Sequence, residues 1–294
     1  MTLPGRGRPT LDSRARLDAA GATPQPEDAM SADPLAHHRA SAGAALAGGD
    51  PDTIKRLYIQ LGGDWLDAHG DGADLESIPV LSAPETTPVV VGRLRSVSGL
   101  ILDAGCGPNP AVSLALAAGG NERVMVSLDI GWGTVRIARQ IARQRGVDLV
   151  GVVGDVERLP FRSGRFDGVA CVDCVEHLPD DVAGVTELAR VARPKATVVV
   201  ATPNRGNARI LRRRVGDRLR GARRPASHYY VSNSHIREYT WGEFERLISP
   251  ALRLRERAPV GWTGGWKSRL ATRLLGIRPL HRLSQMIVVD SAPR

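Results

Sequence analysis

The chain has 294 residues, 42% of them hydrophobic, and a formal net charge of +9. A chain of this length can bury one large core. No apolar run reaches the ~18 residues that a membrane-spanning helix requires, which argues against an integral membrane protein.

The N-terminal region, residues 1–49, is rich in Ala, Gly, Pro, Ser, Asp and Arg and shows no sustained periodicity. It has no apolar segment typical of a secretory signal, and we predict a disordered tail. Asp50 can cap a helix that begins at Pro51, so we expect a helical segment over 50–98. Three cysteines, an odd number, indicate a reducing compartment, and we expect a cytoplasmic location.

From residue 99 to the C-terminus, short apolar runs alternate with amphipathic stretches, which predicts an α/β domain with a parallel sheet. The predicted strands are 100–104, 123–128, 148–153, 166–172 and 196–202, and the predicted helices are 109–119, 131–145 and 181–193. Thr240 and Glu243 form a capping-box pattern for a further helix. A strand at about 252–259 and a final strand within "LSQMIVVD" could then pair as a hairpin, which gives the sheet an antiparallel edge.

The stretch "ILDAGCGPNP", residues 101–110, passes from a buried strand into a glycine loop. Asp103, Asp129 and Asp155 stand at the ends of three successive predicted strands, where open α/β sheets bind ligands. A nicotinamide dinucleotide is disfavoured, because Pro110 takes the place of the third glycine and the Asp103 carboxylate would repel a pyrophosphate.

Residues 100–204 resemble the class I S-adenosylmethionine-dependent methyltransferases, in particular the group typified by ubiquinone and menaquinone biosynthesis enzymes. The motifs are "LDAGCGPN", "VSLDIGWG", "VVGDVERLPF" and "FDGVACVDCVEHLPD", and Asn109 stands where the family has its third glycine. The resemblance implies a Rossmann-like, doubly wound, mostly parallel seven-stranded sheet. It also implies S-adenosylmethionine as cofactor, bound by Asp103, Gly105, Cys106, Gly107, Asp129, Ile130, Asp155, Val156 and Asp173.

The resemblance further assigns contacts to some of these residues. The two loop glycines would let the backbone approach the methionine portion. Asp129 would accept hydrogen bonds from both ribose hydroxyls, as an ionised carboxylate can. Asp155 would accept from the adenine amino group, with the Val156 amide at a ring nitrogen.

The methyl acceptor has to be inferred from the residues after the fourth predicted strand, which read Asp173-Cys-Val-Glu-His177. The resemblance would require Asn/Asp-Pro-Pro-aromatic for adenine methylation or Pro-Cys for cytosine methylation, and both are missing. His177 is either a general base toward a hydroxyl or a helix-start histidine satisfied by the backbone. Glu176 could orient His177 or bind a divalent metal with it. His235, flanked by Ser232 and Ser234, is a second candidate base. Adjacent residues lack ordinary ligand spacing, so we predict no metal.

Two features of the C-terminal third concern the acceptor. Seven of the twelve aromatic residues lie between Tyr229 and Trp266, and they either line an acceptor pocket or pack the closing hairpin. An insertion at about 205–238 would form an acceptor cap. Within it, Arg205–Arg224 holds nine arginines and one aspartate, either to dock an anionic acceptor or a membrane surface, or as a solvated helix.

The sequence therefore predicts an S-adenosylmethionine-dependent methyltransferase that acts on a hydroxyl of a small molecule or glycan. A first alternative is an RNA methyltransferase, which the lack of a separate RNA-binding module disfavours. A second is a protein that binds the cofactor without catalysis. DNA is not an expected partner.

Overall fold

The structure is a computed structural model that describes residues 50–69, 78, 85–120, 122–222, 235–258, 260, 282, 284 and 286–294. The predicted tail over 1–49 lies outside the described residues. Among the helices of the described residues, none has the length and apolar character to cross a membrane.

The described elements alternate between helices and strands through most of the chain. The helices are α1 (Pro51–His69), α2 (Thr86–Leu94), α3 (Ala111–Ala118), α4 (Trp132–Gln144), α5 (Asp181–Val191), α6 (Ala208–Leu219) and α7 (Trp241–Ile248). The strands are β1 (Gly99–Ala104), β2 (Arg123–Asp129), β3 (Val150–Val153), β4 (Phe166–Val172), β5 (Ala192–Pro203), β6 (Leu252–Arg257) and β7 (Met286–Pro293).

The seven strands form one sheet in the order β3-β2-β1-β4-β5-β7-β6. The first five pair in parallel, whereas β7 pairs antiparallel with both β5 and β6. The mostly parallel sheet with antiparallel pairing at one edge is confirmed, and so is the hairpin-like pairing of the last two strands. Strand order reverses between β1 and β4, which places the glycine loop at the topological switch point.

Alternate residues of the central strands point into two apolar layers. On one face, Ile101 and Met125 pack with Val90 of α2 and Val112 of α3. On the other, Leu102 and Val126 pack with Leu188 of α5 and Phe244 of α7. Both faces of the sheet are therefore covered, as the near-continuous apolar strands require.

Local signals placed several boundaries correctly. Asp50 accepts the Asp52 N–H (3.0 Å) at the start of α1, and Thr240 and Glu243 form the predicted capping box of α7. The predicted helix over 181–193 ends earlier, at Val191, because Ala192 already pairs with Phe166 of β4. Strand pairing in the sheet therefore ends the helix before its pattern of apolar residues ends.

Candidate active site

The glycine loop follows β1 and needs glycine for two separate reasons. Gly105 and Gly107 have φ of 72° and 64°, a region that side chains with a Cβ rarely adopt. A Cβ on Gly105 would also collide with the Cys174 side chain of the next strand end. The loop therefore packs directly against the segment after β4.

Asn109 stands where the family has its third glycine, and asparagine tolerates a positive φ better than most residues. It does not adopt a positive φ. Instead its side-chain Nδ2 donates to the Ile78 carbonyl at 2.9 Å. The loop is thus held by a side-chain hydrogen bond that a glycine could not make.

Two carboxyl groups lie beneath the loop, that of Asp103, which is buried, and that of Asp129, which is partly buried. Asp103 accepts a hydrogen bond from Ser113 Oγ at 2.7 Å, and burial raises its pKa to about 6. Asp129 accepts from the Gly107 and Gly131 N–H groups at 3.1 and 2.9 Å, and burial raises its pKa as well. Desolvated carboxyls of this kind are stabilised by a bound cation or by hydroxyl donors. The pair therefore suits a ligand that carries an ammonium group and a diol.

Asp155, the third predicted acidic residue, already has a cationic partner. Lys55 of α1 reaches Asp155 Oδ2 at 2.7 Å and Glu157 at 2.5 Å, while Asp155 Oδ1 accepts the Glu157 N–H. Lys55 was not identified from the sequence, because the apolar periodicity of a helix does not specify which loop the helix will cross. Val156, next in the chain, is buried in the core.

Asp173 turns the chain after β4 with a φ of 49°. The turn brings Cys174 into hydrogen-bond contact with Cys171, and that contact and burial raise the pKa of Cys174. Burial also raises the pKa of Cys106 in the glycine loop. All three cysteines are free thiols, and the raised pKa values of Cys106 and Cys174 do not suit these two to nucleophilic chemistry.

Glu176 is fully buried in the short 3₁₀ turn Val175–His177. Its Oε2 accepts from Thr202 Oγ1 of β5 at 2.9 Å, whereas its Oε1 finds no hydrogen-bond partner among the described residues. Burial, and then the charge of Asp173, raise the pKa of Glu176 well above its usual value. A proton on this carboxyl would give it a donor as well as an acceptor.

His177 does not start the next helix. The cap of α5 is Asp180, whose side chain accepts the Ala183 N–H at 2.9 Å, so the helix-start alternative is wrong. The His177 ring is instead engaged by α1, since Tyr58 Oη lies 2.6 Å from its Nδ1. Tyr58 was not identified from the sequence, because it lies 119 residues away from His177.

His235 lies beside His177, with the ring centroids 4.9 Å apart and the planes at 76°. The N–H groups of Ile236 and Arg237 donate to the Glu176 carbonyl at 3.1 and 3.3 Å, which fixes the segment there. The structure therefore brings Glu176, His177 and His235 together, and their ligand atoms lie within 4.8 Å of one another. At that spacing the three could also hold a metal ion, which the adjacent positions of Glu176 and His177 in the chain had argued against. Ser232 and Ser234 lie outside the described residues.

Three of the seven clustered aromatic residues are core residues. Tyr239, Trp241 and Phe244 are buried against the sheet, as one of the two sequence interpretations required. The other four, Tyr229, Tyr230, Trp262 and Trp266, lie outside the described residues.

Residues 102–200 match the protein family described as a methyltransferase domain. The ubiquinone biosynthesis O-methyltransferases of Xanthomonas axonopodis pv. citri (strain 306) and Vibrio campbellii (strain ATCC BAA-1116) are 29% and 28% identical to the chain over 149 and 158 residues. These matches cover 50% and 53% of this chain and 59% and 64% of the relatives. The chain thus matches less than two thirds of either relative's own length.

Solved structures share the fold. The chain is similar to magnesium protoporphyrin IX methyltransferase from Synechocystis PCC 6803 with bound SAH, with a TM-score of 0.54, 18% identity, and 83% of this chain and all of that chain covered. It is also similar to the cyclase SpnF, with a TM-score of 0.51, 17% identity, and coverage of 71% and 80%. Identities this low show a common fold and leave the reaction to the site itself.

Proposed function

We propose that this chain, which contains a class I S-adenosylmethionine-dependent methyltransferase domain, methylates a hydroxyl oxygen of a small molecule. The observation that carries the proposal is the cluster of Glu176, His177 and His235. It stands at the end of β4, where Cys174 packs on the glycine loop. Groups that can accept a proton suit an acceptor hydroxyl, which must lose one during transfer. The two ubiquinone relatives are O-methyltransferases by name, which supports oxygen as the acceptor atom.

We propose that the carboxyls at the ends of β1, β2 and β3 hold the cofactor. When bound, S-adenosylmethionine supplies a methyl group activated by a positively charged sulfur. Asp103 and the loop glycines would hold the methionine end, Asp129 would accept from the ribose hydroxyls, and Asp155 would accept from the adenine amino group while remaining paired with Lys55. The remaining proposed contacts are Cys106, Ile130, Val156 and Asp173.

We further propose that the acceptor is brought to the site by the α6 surface. Leu211, Val215 and Leu219 recur every four residues and are all exposed, Leu219 to 83%. In an α-helix this spacing forms one stripe, with Arg212 and Arg218 on either side of it. An exposed apolar stripe between arginines suits an anionic membrane surface, where a lipid-linked or anionic glycan acceptor would be concentrated. A cytoplasmic location would give access to such a surface.

The proposed reaction can be tested with isotope-labelled S-adenosylmethionine and cell extract, with mass spectrometry of the labelled products. We expect label in a small molecule, stable to base as an ether is, with wild-type protein. Asp129→Ala should strongly reduce the label at a limiting concentration of S-adenosylmethionine, and Asp148→Ala, at an exposed site after α4, should not. Label recovered in RNA would favour the alternative acceptor, and cofactor binding without any labelled product would favour a binding protein.

A further inference from the structure

The two histidines of the cluster differ in what holds the Nδ1 atom of each ring. His235 Nδ1 lies 2.7 Å from Glu238 Oε1, and the Glu238 side chain is fully buried. His177 Nδ1 lies 2.6 Å from the Tyr58 hydroxyl. A carboxylate and a phenol impose opposite protonation patterns on an imidazole, so the two rings cannot be equivalent.

We infer that His235 is the residue that accepts the proton of the acceptor hydroxyl, that Glu238 positions it, and that Tyr58 positions His177 as a hydrogen-bond donor. This inference rests on the proposed hydroxyl methylation and assigns a separate role to each of these residues of its site. It makes Glu238 and Tyr58 functional residues, although both lie outside the matched residues 102–200.

The Glu238–His235 pair fixes the base. A carboxylate can only accept hydrogen bonds, so the proton of neutral His235 resides on Nδ1 and its Nε2 carries the lone pair. When Nε2 takes a proton, the buried carboxylate stabilises the resulting imidazolium, as the acidic member of a catalytic triad does. His235 and Glu238 are three residues apart in the chain. The backbone hydrogen bonds from Ile236 and Arg237 to the Glu176 carbonyl keep the segment between them in place.

In the Tyr58–His177 pair the hydrogen bond at Nδ1 runs in the opposite direction, from the partner to the ring. Burial, and then the nearby Cys174 and Glu176, raise the pKa of the Tyr58 phenol, so it stays protonated and can donate. A phenol that donates to Nδ1 leaves the proton of neutral His177 on Nε2. His177 would then direct its Nε2–H group at the acceptor oxygen. That hydrogen bond would orient a lone pair of the oxygen toward the methyl group.

The proton and electron balance of the step is simple. The O–H bond of the acceptor breaks and an N–H bond forms at His235 Nε2. The oxygen electron pair forms the new bond to the methyl carbon, whose bond to sulfur breaks with its electrons left on sulfur. His235 then releases the proton to solvent.

The tautomers can be measured directly, without any methyl acceptor. Long-range ¹H–¹⁵N spectra of the imidazole rings, assigned with His177→Gln and His235→Gln variants, report which nitrogen carries hydrogen. We expect protonated Nδ1 in neutral His235 and protonated Nε2 in neutral His177. Tyr58→Phe should change the pattern of His177 alone. The reverse assignment of His235 would overturn the inference, whether or not methyl transfer is found.

Turnover provides the second test. Glu238→Gln keeps the shape but offers an amide donor to Nδ1, so kcat should fall by about 10²–10⁴-fold. KM and cofactor affinity should change little, and Glu238→Asp should restore part of kcat. Unchanged kcat in a folded Glu238→Gln variant would refute the positioning role. Wild-type activity that is abolished by EDTA and restored by a divalent cation would refute the base role too, since His235 Nε2 would then be a ligand.

Discussion

Asp103 is a single buried carboxyl whose ionisation destabilises the cofactor-free fold. Its pKa is about 6 in the folded protein against 3.8 for the free group. Between these values the folded protein retains a proton that the unfolded chain has lost, so stability falls as pH rises through this window. At neutral pH the ionised carboxyl costs about 3 kcal/mol, by the conversion of one pKa unit to 1.36 kcal/mol.

We therefore predict that Asp103→Asn stabilises the cofactor-free protein at pH 8. The gain should shrink by about 1 kcal/mol or more at pH 5, where the wild-type carboxyl is largely protonated. Chemical denaturation at the two pH values measures this, with exposed Asp148→Asn as the control. A gain that does not depend on pH would show that ionisation of Asp103 is not the cause.

Asp129 leads to a prediction about affinity. Both oxygens accept backbone N–H bonds, which leaves about two of the four acceptor sites of an ionised carboxylate for the ribose. Each hydrogen bond to a charged group is worth about 1.5–3 kcal/mol, so Asp129→Ala should weaken S-adenosylmethionine binding by well over tenfold. Calorimetry checks this, and unchanged affinity in a folded variant would refute the assignment.

At the scale of elements, helix α1 contributes two side chains to the candidate site. It provides Lys55 to the loop after β3 and Tyr58 to the turn after β4. It also crosses α4 so closely that a Cβ on Gly133 would collide with the Gly62 backbone. The position of both side chains at the site therefore depends on a contact between two glycines.

We predict that Gly133→Ala displaces α1 and breaks the Tyr58–His177 contact. The overlap is with backbone, which cannot rotate away, so the variant should lose about 1–3 kcal/mol of stability. Gly63→Ala in α1 is the matched control, because its Cβ meets nothing within 4 Å, and it should gain up to about 1 kcal/mol of helix propensity. Thermal unfolding and the His177 imidazole spectrum measure the two effects. Equal behaviour of the two variants would show that the crossing is not tight.

The same elements show which features of the fold and the site can be predicted from the sequence. The strands, the glycine loop and the capping box of α7 follow from local patterns, because period and turn chemistry act over a few residues. His177 and His235 were named separately, but their contact joins residues 58 positions apart. Glu238 was missed although it lies only three residues from His235, and Tyr58 was missed for the same reason as the histidine contact, since 119 residues separate it from His177. Contacts of that range depend on packing, and periodicity does not specify which helix crosses which loop.

At the scale of the whole molecule, the net charge of +9 is concentrated in one region. The Arg205–Arg224 segment alone holds nine arginines and one aspartate. The α6 helix within it begins after β5, whose Thr202 donates to Glu176. The start of α6 at Ala208 therefore follows closely in the chain on a strand that contacts the proposed acceptor site, and we propose that a surface bound by α6 would be close to that site.

The α6 stripe leads to our last prediction, that the protein binds vesicles containing phosphatidylglycerol and binds phosphatidylcholine vesicles weakly. Replacing Leu211, Val215 and Leu219 with serine should lower binding at least tenfold, because burial of each side chain contributes up to about 1.5–3 kcal/mol. Arg212→Gln with Arg218→Gln should reduce the preference for anionic lipid, at about 1 kcal/mol per arginine. Co-sedimentation measures both, with Val182→Ser, exposed on α5, as the control. RNA binding that is lost with the arginines but kept in the serine variant would instead assign this surface to nucleic acid.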